Sequence, residues 1–282
     1  MSSTTQAKAS GDPLKGISIP PKPQILVDLH KVGDNTKKIV DLISQDTGVS
    51  ATVLKTINSP FFGLAKKITS IQQAVLLLGN QSVINIVNSL ILRTSLHKDQ
   101  DENMSEFWDS SMDAAKAAGA IAGELKVAKR DDAYTLGLFH NCGIPILMQK
   151  FKNYIEIVEK SYQNPDGLVQ QVEQRELDID HCVVGHHLCD LWNMDELIGD
   201  AVLYHHAGPE FFEQEKNGPL KDLVATLMLA EHLVEIHRIV GHNKEDHGWK
   251  RVSKHVKKQL NIVTQDDYND IRNYVFDVAL QK

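Results

Sequence analysis

Histidine is the residue type in this sequence with the clearest capacity for chemistry. His140 and Asn141 stand side by side within the apolar segment 136–143. Burying adjacent polar side chains costs free energy unless they find partners. Histidines elsewhere in the chain can supply such partners: His181, His186, His187, His205, His206 and His232. The pattern indicates either a metal site or a hydrogen-bonded histidine core.

The ligands that these residues can offer are rich in imidazole and poor in carboxylate. An aspartate beside His140 would give a hard cation a negatively charged oxygen, whereas Asn141 offers only a neutral carbonyl oxygen. Several imidazoles with one amide suit zinc or iron better than magnesium. For each histidine taken alone the alternative is a hydrogen-bonded core residue, and for Asn141 it is a hydrogen bond between helices.

Composition narrows the class of protein. The 282 residues carry a net charge of −7 and are 42% hydrophobic, which is typical of soluble globular proteins. The negative charge gives no overall basic field for nucleic acid, and no segment has the roughly 18 apolar residues of a membrane helix. Three cysteines without a CxxC pair, and no apolar signal segment, indicate reduced thiols in a cytoplasmic protein. We therefore expect neither nucleic-acid nor membrane binding.

The hydrophobic pattern predicts an all-α fold with less than about 5% strand, because each periodic segment has helical spacing. In the first half of the chain, helices are predicted over residues 24–31, 36–45, 50–58, 71–78 and 81–96. In the second half they are predicted over residues 104–127, 133–150, 151–162, 168–177, 180–192, 194–206 and 220–239, with a further helical region after 246.

Changes in composition divide the chain into three parts. Residues 1–16 are rich in Ser, Thr and Lys and are predicted to be a mobile tail. Residues 17–100 are predicted to form an N-terminal helical lobe, and residues 101–282 a second lobe with C-terminal helices. Residues 58–63 contain Pro60 and two adjacent phenylalanines, so we expect a buried structural joint. The alternative is an exposed aromatic patch for a partner.

Two groups of motifs resemble those of HDOD proteins, a regulatory branch of the HD superfamily of metal-dependent phosphohydrolases. The first group comprises IPPKP at 19–23, INSPFFG at 57–63 and SIQQAVLLLG at 70–79. The second comprises LGLFHNCG at 136–143, the pair Asp180-His181 followed by Val184-Gly185, and Tyr204-His205-His206. The resemblance implies an HDOD-type N-terminal lobe, an HD-like helical core in the second lobe and a signalling role.

The resemblance also implies a set of metal ligands. Four histidines match ligand positions of HD enzymes, in which the cation generates a hydroxide and stabilises a phosphoryl transition state. A glutamate falls where those enzymes have a late aspartate and partly substitutes for it. The candidate degenerate metal site therefore consists of His140, Asn141, His181, His205, His206 and Glu231.

Three departures from the family pattern weigh against hydrolysis. Asn141 stands where the superfamily has the metal-bridging aspartate. The upstream histidine is expected near residues 108–110, where the sequence is Trp-Asp-Ser. Ile144 stands where a lysine is expected after Gly143. A site that lacks one carboxylate and one imidazole should hold a divalent metal weakly.

These observations favour a non-catalytic signal-transduction or regulatory module that acts through protein or ligand binding. In this interpretation no residue is catalytic, and no cofactor is expected beyond weakly held zinc, iron or manganese. The expected partners are a signalling protein and a small ligand. The alternative is a metal-dependent phosphohydrolase, either a phosphatase or a phosphodiesterase, that uses the histidine-rich site. A third interpretation is a nucleotide-binding regulator that kept the cleft without the chemistry.

Overall fold

The computed structural model describes residues 14–59, 62, 64–96, 102–165 and 168–280, and of residues 102 and 103 it describes the backbone. All regular structure in these residues is helical, and they contain no strand. The all-α prediction is therefore confirmed. Within this part of the chain, no helix combines the length and the apolar character that crossing a membrane requires.

The first five helices belong to the N-terminal part of the fold, and side-chain caps set several of their starts. They are α1 (Gln24–Val32), α2 (Thr36–Gln45), α3 (Thr47–Ile57), α4 (Ile71–Leu78) and α5 (Asn80–Leu96). Asn35 accepts a hydrogen bond from the Lys38 backbone, and Ser70 accepts one from the Gln73 backbone. Asp46 caps α3 and starts it three residues earlier than predicted.

The rest of the described chain forms a larger helical assembly. Its first helices are α6 (Glu102–Leu125), α7 (Arg130–Phe139), α8 (Gly143–Lys150), α9 (Tyr154–Gln163), α10 (Val169–Leu177), α11 (His181–Leu191) and α12 (Glu196–Tyr204). The remaining ones are α13 (Pro209–Gln214), α14 (Gly218–Leu233), α15 (Ile236–Ile239), α16 (His247–Gln259) and α17 (Gln265–Val278). The buried alanines of α6 let α7 pack closely along it.

The prediction of one helix over residues 133–150 is wrong, because the chain breaks between Phe139 and Gly143. The Cys142 backbone N–H donates to the Phe139 carbonyl at 2.8 Å, which closes a turn. At Gly143 a Cβ would lie 2.1 Å from the His181 carbonyl oxygen, so α8 approaches α11 at a distance that only glycine allows. The break places His140 and Asn141 in a turn, where both side chains are buried.

One further prediction near the C-terminal end is wrong. The predicted helix 220–239 is split, because Glu235 adopts a left-handed conformation with φ 59° between α14 and α15. Pro209 is the first residue of α13, a short helix that the sequence analysis does not predict, and proline fits there because the first N–H of a helix has no partner within the helix.

Packing and polar contacts join the N-terminal helices to the rest of the fold. Helix α5 packs against α7. The Trp192 indole N–H donates to the Pro20 carbonyl at 3.2 Å, and the Ser82 hydroxyl donates to Asp131 at 2.9 Å. The boundary predicted near residue 100 falls at 97–101, outside the described residues.

The segment 58–63 is described only in part, because Pro60, Phe61 and Gly63 lie outside the described residues. Asn58 binds both the N–H and the carbonyl of Ile68, at 2.7 Å each, and so fixes the end of α3 to the chain before α4. The Phe62 ring lies 6.1 Å from the Tyr134 ring on α7. Of the predicted tail, residues 1–13 lie outside the described part, and residues 14–16 form a turn.

The close packing of α6 on α7 predicts the effect of a single methyl group. A Cβ at Gly137 would lie 2.4 Å from the Ala115 Cα and 2.6 Å from its N, and backbone atoms cannot rotate away. We expect Gly137→Ala to lower the free energy of unfolding in urea by about 1–3 kcal/mol. Gly218→Ala is the control, since no atom lies within 4 Å of its Cβ. Equal stability of the two variants would contradict this packing.

Candidate metal centre

Three imidazoles meet at the ends of two helices. His181 is the first residue of α11, and His205 and His206 directly follow α12. Their ligand nitrogens all lie within 4.8 Å of one another, and the Nε2 atoms of His181 and His205 are 3.2 Å apart. Zinc binds imidazole nitrogen at ~2.0–2.1 Å, so two ligands of one tetrahedral zinc lie roughly 3.3 Å apart. The spacing of these nitrogens fits that geometry.

The Nδ1 atoms of His181 and His205, on the far side of each ring from the facing Nε2 atoms, each contact a hydrogen-bond acceptor. His205 Nδ1 lies 2.6 Å from the Val202 carbonyl oxygen, and His181 Nδ1 lies 2.8 Å from a carboxylate oxygen of Glu173. Each Nδ1 therefore carries the proton, and in the neutral ring Nε2 carries a lone pair. Two lone pairs that face each other at 3.2 Å repel unless a proton or a metal ion lies between them. The arrangement therefore fits a proton or a metal ion shared by the two rings.

Glu173 on α10 is the residue that orients His181. Its carboxylate is fully buried and accepts hydrogen bonds from the His181 backbone at 2.9 Å and from the Tyr154 hydroxyl at 2.8 Å. Burial lowers the pKa of His181, but the charge and hydrogen bond of Glu173 outweigh burial and raise that pKa overall. A carboxylate behind an imidazole is the usual support of a metal-binding histidine. Sequence reasoning missed Glu173 and Tyr154, whose only signal was a glutamate beside the buried Val172.

His140 is a buried imidazole with one unused nitrogen. Its Nδ1 donates to the Gly137 carbonyl at 2.7 Å. Its Nε2 lies 3.4 Å from a carboxylate oxygen of Glu231, but it has no hydrogen-bond partner among the described residues. The His140 ring centre is 5.4 Å from that of His205. An unused buried nitrogen beside a cluster of imidazoles is an atom that a cation or a water would satisfy.

Asn141 and Glu231 complete the set predicted from the sequence. Asn141 Oδ1 lies 3.3 Å from His205 Nε2. Burial, with the nearby Asp246 charge, raises the pKa of Glu231 well above its usual value. The structure therefore connects all six predicted residues in one cluster, while metal binding by them stays a prediction. His232 lies apart from the set and donates through Nδ1 to Asp246 at 2.8 Å.

A cavity of about 70 Å³ opens onto this cluster. His205, His206 and Glu231 form its inner side, and Trp249 and Arg251 line it from α16. His232 stacks on Trp249 with ring centres 4.3 Å apart. A small molecule can thus approach the imidazoles from this side, as a metal site with an open coordination position requires.

Comparison with known proteins assigns the family. The HDOD domain model matches residues 19–208, and the chain belongs to the HDOD family. An uncharacterised protein of Treponema pallidum is 28% identical over 219 residues, which are 73% of this chain and 41% of that protein. The chain spans less than half the length of the curated relatives it matches.

Solved structures share the fold at low sequence identity. An HDOD domain protein of unknown function from Geobacter sulfurreducens matches with a TM-score of 0.63 and 23% identity, over 95% of this chain and 96% of that one. A candidate metal-dependent phosphohydrolase from Shewanella amazonensis matches with a TM-score of 0.65 and 16% identity, over 93% and 94%. These likenesses show that the fold is the helical fold of HDOD proteins.

The role of Glu173 can be tested by removing its charge. Glu173→Gln keeps the volume but leaves His181 and Tyr154 with a weaker acceptor inside the protein, so we expect a loss of about 1–3 kcal/mol in the free energy of unfolding. Glu176→Gln, on the same helix, is the matched control. It removes only an exposed ion pair with Lys160 at 2.8 Å, so it should change the free energy of unfolding less than Glu173→Gln does. Similar losses in both variants would rule out the supporting role of Glu173.

The buried histidines predict a loss of stability in acid. Burial lowers the pKa of His140 from 6.5 to about 3, and it also lowers the pKa values of His205 and His206. Between pH 6.5 and about 3 the unfolded chain binds a proton at His140 that the folded chain does not. These histidines therefore contribute a fall in the free energy of unfolding with falling pH, by up to about 1.4 kcal/mol per pH unit for each such proton, against which the raised pKa of Glu231 acts.

Urea unfolding at several pH values, with a chelator present, measures this slope. His140→Gln should reduce the slope below pH 6.5, and the control is His30→Gln, at an exposed position. The raised pKa of His181 does not cancel the effect, because its contribution is complete below pH 6.5 and is lost only as the pH rises through the raised value. An equal slope in His140→Gln and the unmodified protein would show that His140 is not held neutral.

Proposed function

We propose that this chain is a non-catalytic signal-transduction module that acts by binding a signalling protein or a ligand. The observation that carries the proposal is Asn141. It lies in the histidine cluster, with Oδ1 3.3 Å from His205 Nε2, and it brings a neutral amide to the position where HD enzymes have their bridging aspartate. A cytoplasmic location belongs to the same proposal.

The rest of the site supports a loss of hydrolytic chemistry. Hydrolysis requires a cation that is held firmly enough to lower the pKa of bound water. Helix α6, where a further histidine is expected, has Ser110, whose hydroxyl donates to the Phe107 carbonyl at 2.8 Å. The one carboxylate of the predicted set, Glu231, contacts His140 and does not join the group of three histidines. We therefore expect any metal to be weakly held.

Such a metal would be held by His181, His205 and His206. When bound, it would supply a Lewis acid with room for water or an anion on the side of the cavity. Glu173 would fix the orientation of His181, and the Val202 carbonyl would fix that of His205. In the proposed module the metal would have a structural role, since it would replace the proton that the facing imidazoles of His181 and His205 share.

A metal-dependent phosphohydrolase is the second candidate function. It is favoured by the meeting of three histidines within 4.8 Å beneath a cavity that reaches solvent. A group of neutral imidazoles can bind zinc without a carboxylate. The two candidates differ in turnover, which can be measured directly.

The test uses p-nitrophenyl phosphate and bis(p-nitrophenyl) phosphate with manganese, iron or zinc. We expect no turnover above that of the free metal ion, and no difference between the unmodified protein and His140→Ala. Asn141→Asp should raise metal affinity without giving robust activity, because it restores the charge but not the missing imidazole. The double variant Ser110→His/Asn141→Asp restores both the charge and the imidazole, and it tests whether the two together are sufficient for turnover. Metal-dependent turnover in the unmodified protein that His140→Ala abolishes would establish the phosphohydrolase.

A further inference from the structure

A second pocket lies between the two parts of the fold, and none of the six clustered residues lines it. Its volume is about 130 Å³. One wall comes from Lys22 and α1, another from α5, and the third from residues 192–195, which join α11 to α12. A molecule bound here would contact both parts of the fold at once.

Lys22 brings a positive charge into this pocket without a counter-ion. The side chain is half-buried, and burial lowers its pKa. Its partner is the Asn193 side-chain oxygen at 3.4 Å, and it forms no ion pair with any described residue. A partly buried ammonium group without a counter-ion is stabilised when an anion pairs with it. The pocket therefore suits a ligand with a negatively charged group.

Asn88 on α5 adds an unused amide to the same pocket. The residue is 8% exposed, and its side chain makes no hydrogen bond within the described chain. Buried amides are normally hydrogen-bonded, so an unbonded one that lines a pocket indicates a missing partner. The nearby Gln81 donates through Nε2 to Asn85 at 2.9 Å, which leaves its own oxygen as an acceptor.

Apolar side chains and two carboxylates complete the lining. Ile84 and Met194 are half-buried and form an apolar wall, whereas Leu26, Leu29 and Trp192 are at most 2% exposed and offer almost no surface to a ligand. Asp34 and Asp195 lie at exposed positions of the rim. One cation, an unused amide, an apolar wall and acidic groups at the rim are complementary to a small zwitterion with an apolar side chain.

We propose that this pocket binds a free α-amino acid with an aliphatic side chain. The ligand carboxylate binds the Lys22 ammonium group and the Asn88 amide, the side chain packs against Ile84 and Met194, and the ammonium group faces the acidic rim. A cavity of ~150 Å³ holds a benzene molecule, so this pocket of about 130 Å³ accepts the aliphatic side chain of valine or leucine. Because the site joins both parts of the fold, binding stabilises the folded state.

The test compares three probes on the full chain: leucine, 4-methylpentanoate and 3-methylbutylamine. The second lacks the amino group of leucine, and the third lacks the carboxylate. We expect millimolar leucine to raise the melting temperature and to shift the amide resonances of the pocket residues. Each of the other two probes should bind at least about tenfold more weakly than leucine.

Lys22→Met removes the charge but keeps an apolar stem, and it should weaken leucine binding by at least about tenfold. Asn88→Asp, which places a negative charge beside the ligand carboxylate, should do the same. Lys31→Met is the matched control, since Lys31 is an exposed residue of α1 with an ion pair to Asp28. This variant should bind leucine as the unmodified protein does.

Absence of leucine binding, equal binding of 4-methylpentanoate, or unchanged binding in both pocket variants would overturn the proposal. None of these outcomes bears on the histidine cluster, which the assays with metal ions test separately.

Discussion

Two imidazole nitrogens that face each other at 3.2 Å are the constraint on which the rest of this structure depends. Glu173 and the Val202 carbonyl hold the outer nitrogens of His181 and His205, so the two inner nitrogens require a shared proton or a metal ion. The fold supplies the surroundings: α10 brings the supporting carboxylate, and the turn after α7 brings His140 and Asn141. The absence of a side chain at Gly143 allows that turn to approach the start of α11.

The cluster brings four imidazoles together, and it has a neutral amide, Asn141, where the resemblance to HD enzymes leads us to expect a bridging carboxylate. A buried group of polar side chains contributes to a single defined packing when its members find partners, and it is costly when they do not. Here the outer nitrogens are satisfied, while His140 Nε2 remains without a partner in the described chain. This combination supports our proposal that this member of the HDOD family is a non-catalytic module.

The sequence predicts local features well and contacts between distant residues poorly. The bounds of α2 and α4 agree with their predictions because Asn35 and Ser70 cap them locally. The break after Phe139 was missed because its cause is the approach of α8 to His181, far along the chain. The six clustered residues were identified from their types and the family motifs, whereas Glu173 looks like an ordinary helix residue until its partners are known. The pocket around Lys22 likewise has no sequence signal.

The most direct test of the central claim is a nitrogen-15 spectrum of the histidine side chains in chelator-treated protein, followed during a zinc titration. The account predicts that the pair His181/His205 shares one proton without metal. Zinc should displace that proton, and dialysis against chelator should then remove the zinc with the fold intact. Histidine resonances that remain in metal-bound positions after chelator treatment, with one metal ion per chain, would contradict the claim that this site no longer holds its cation firmly.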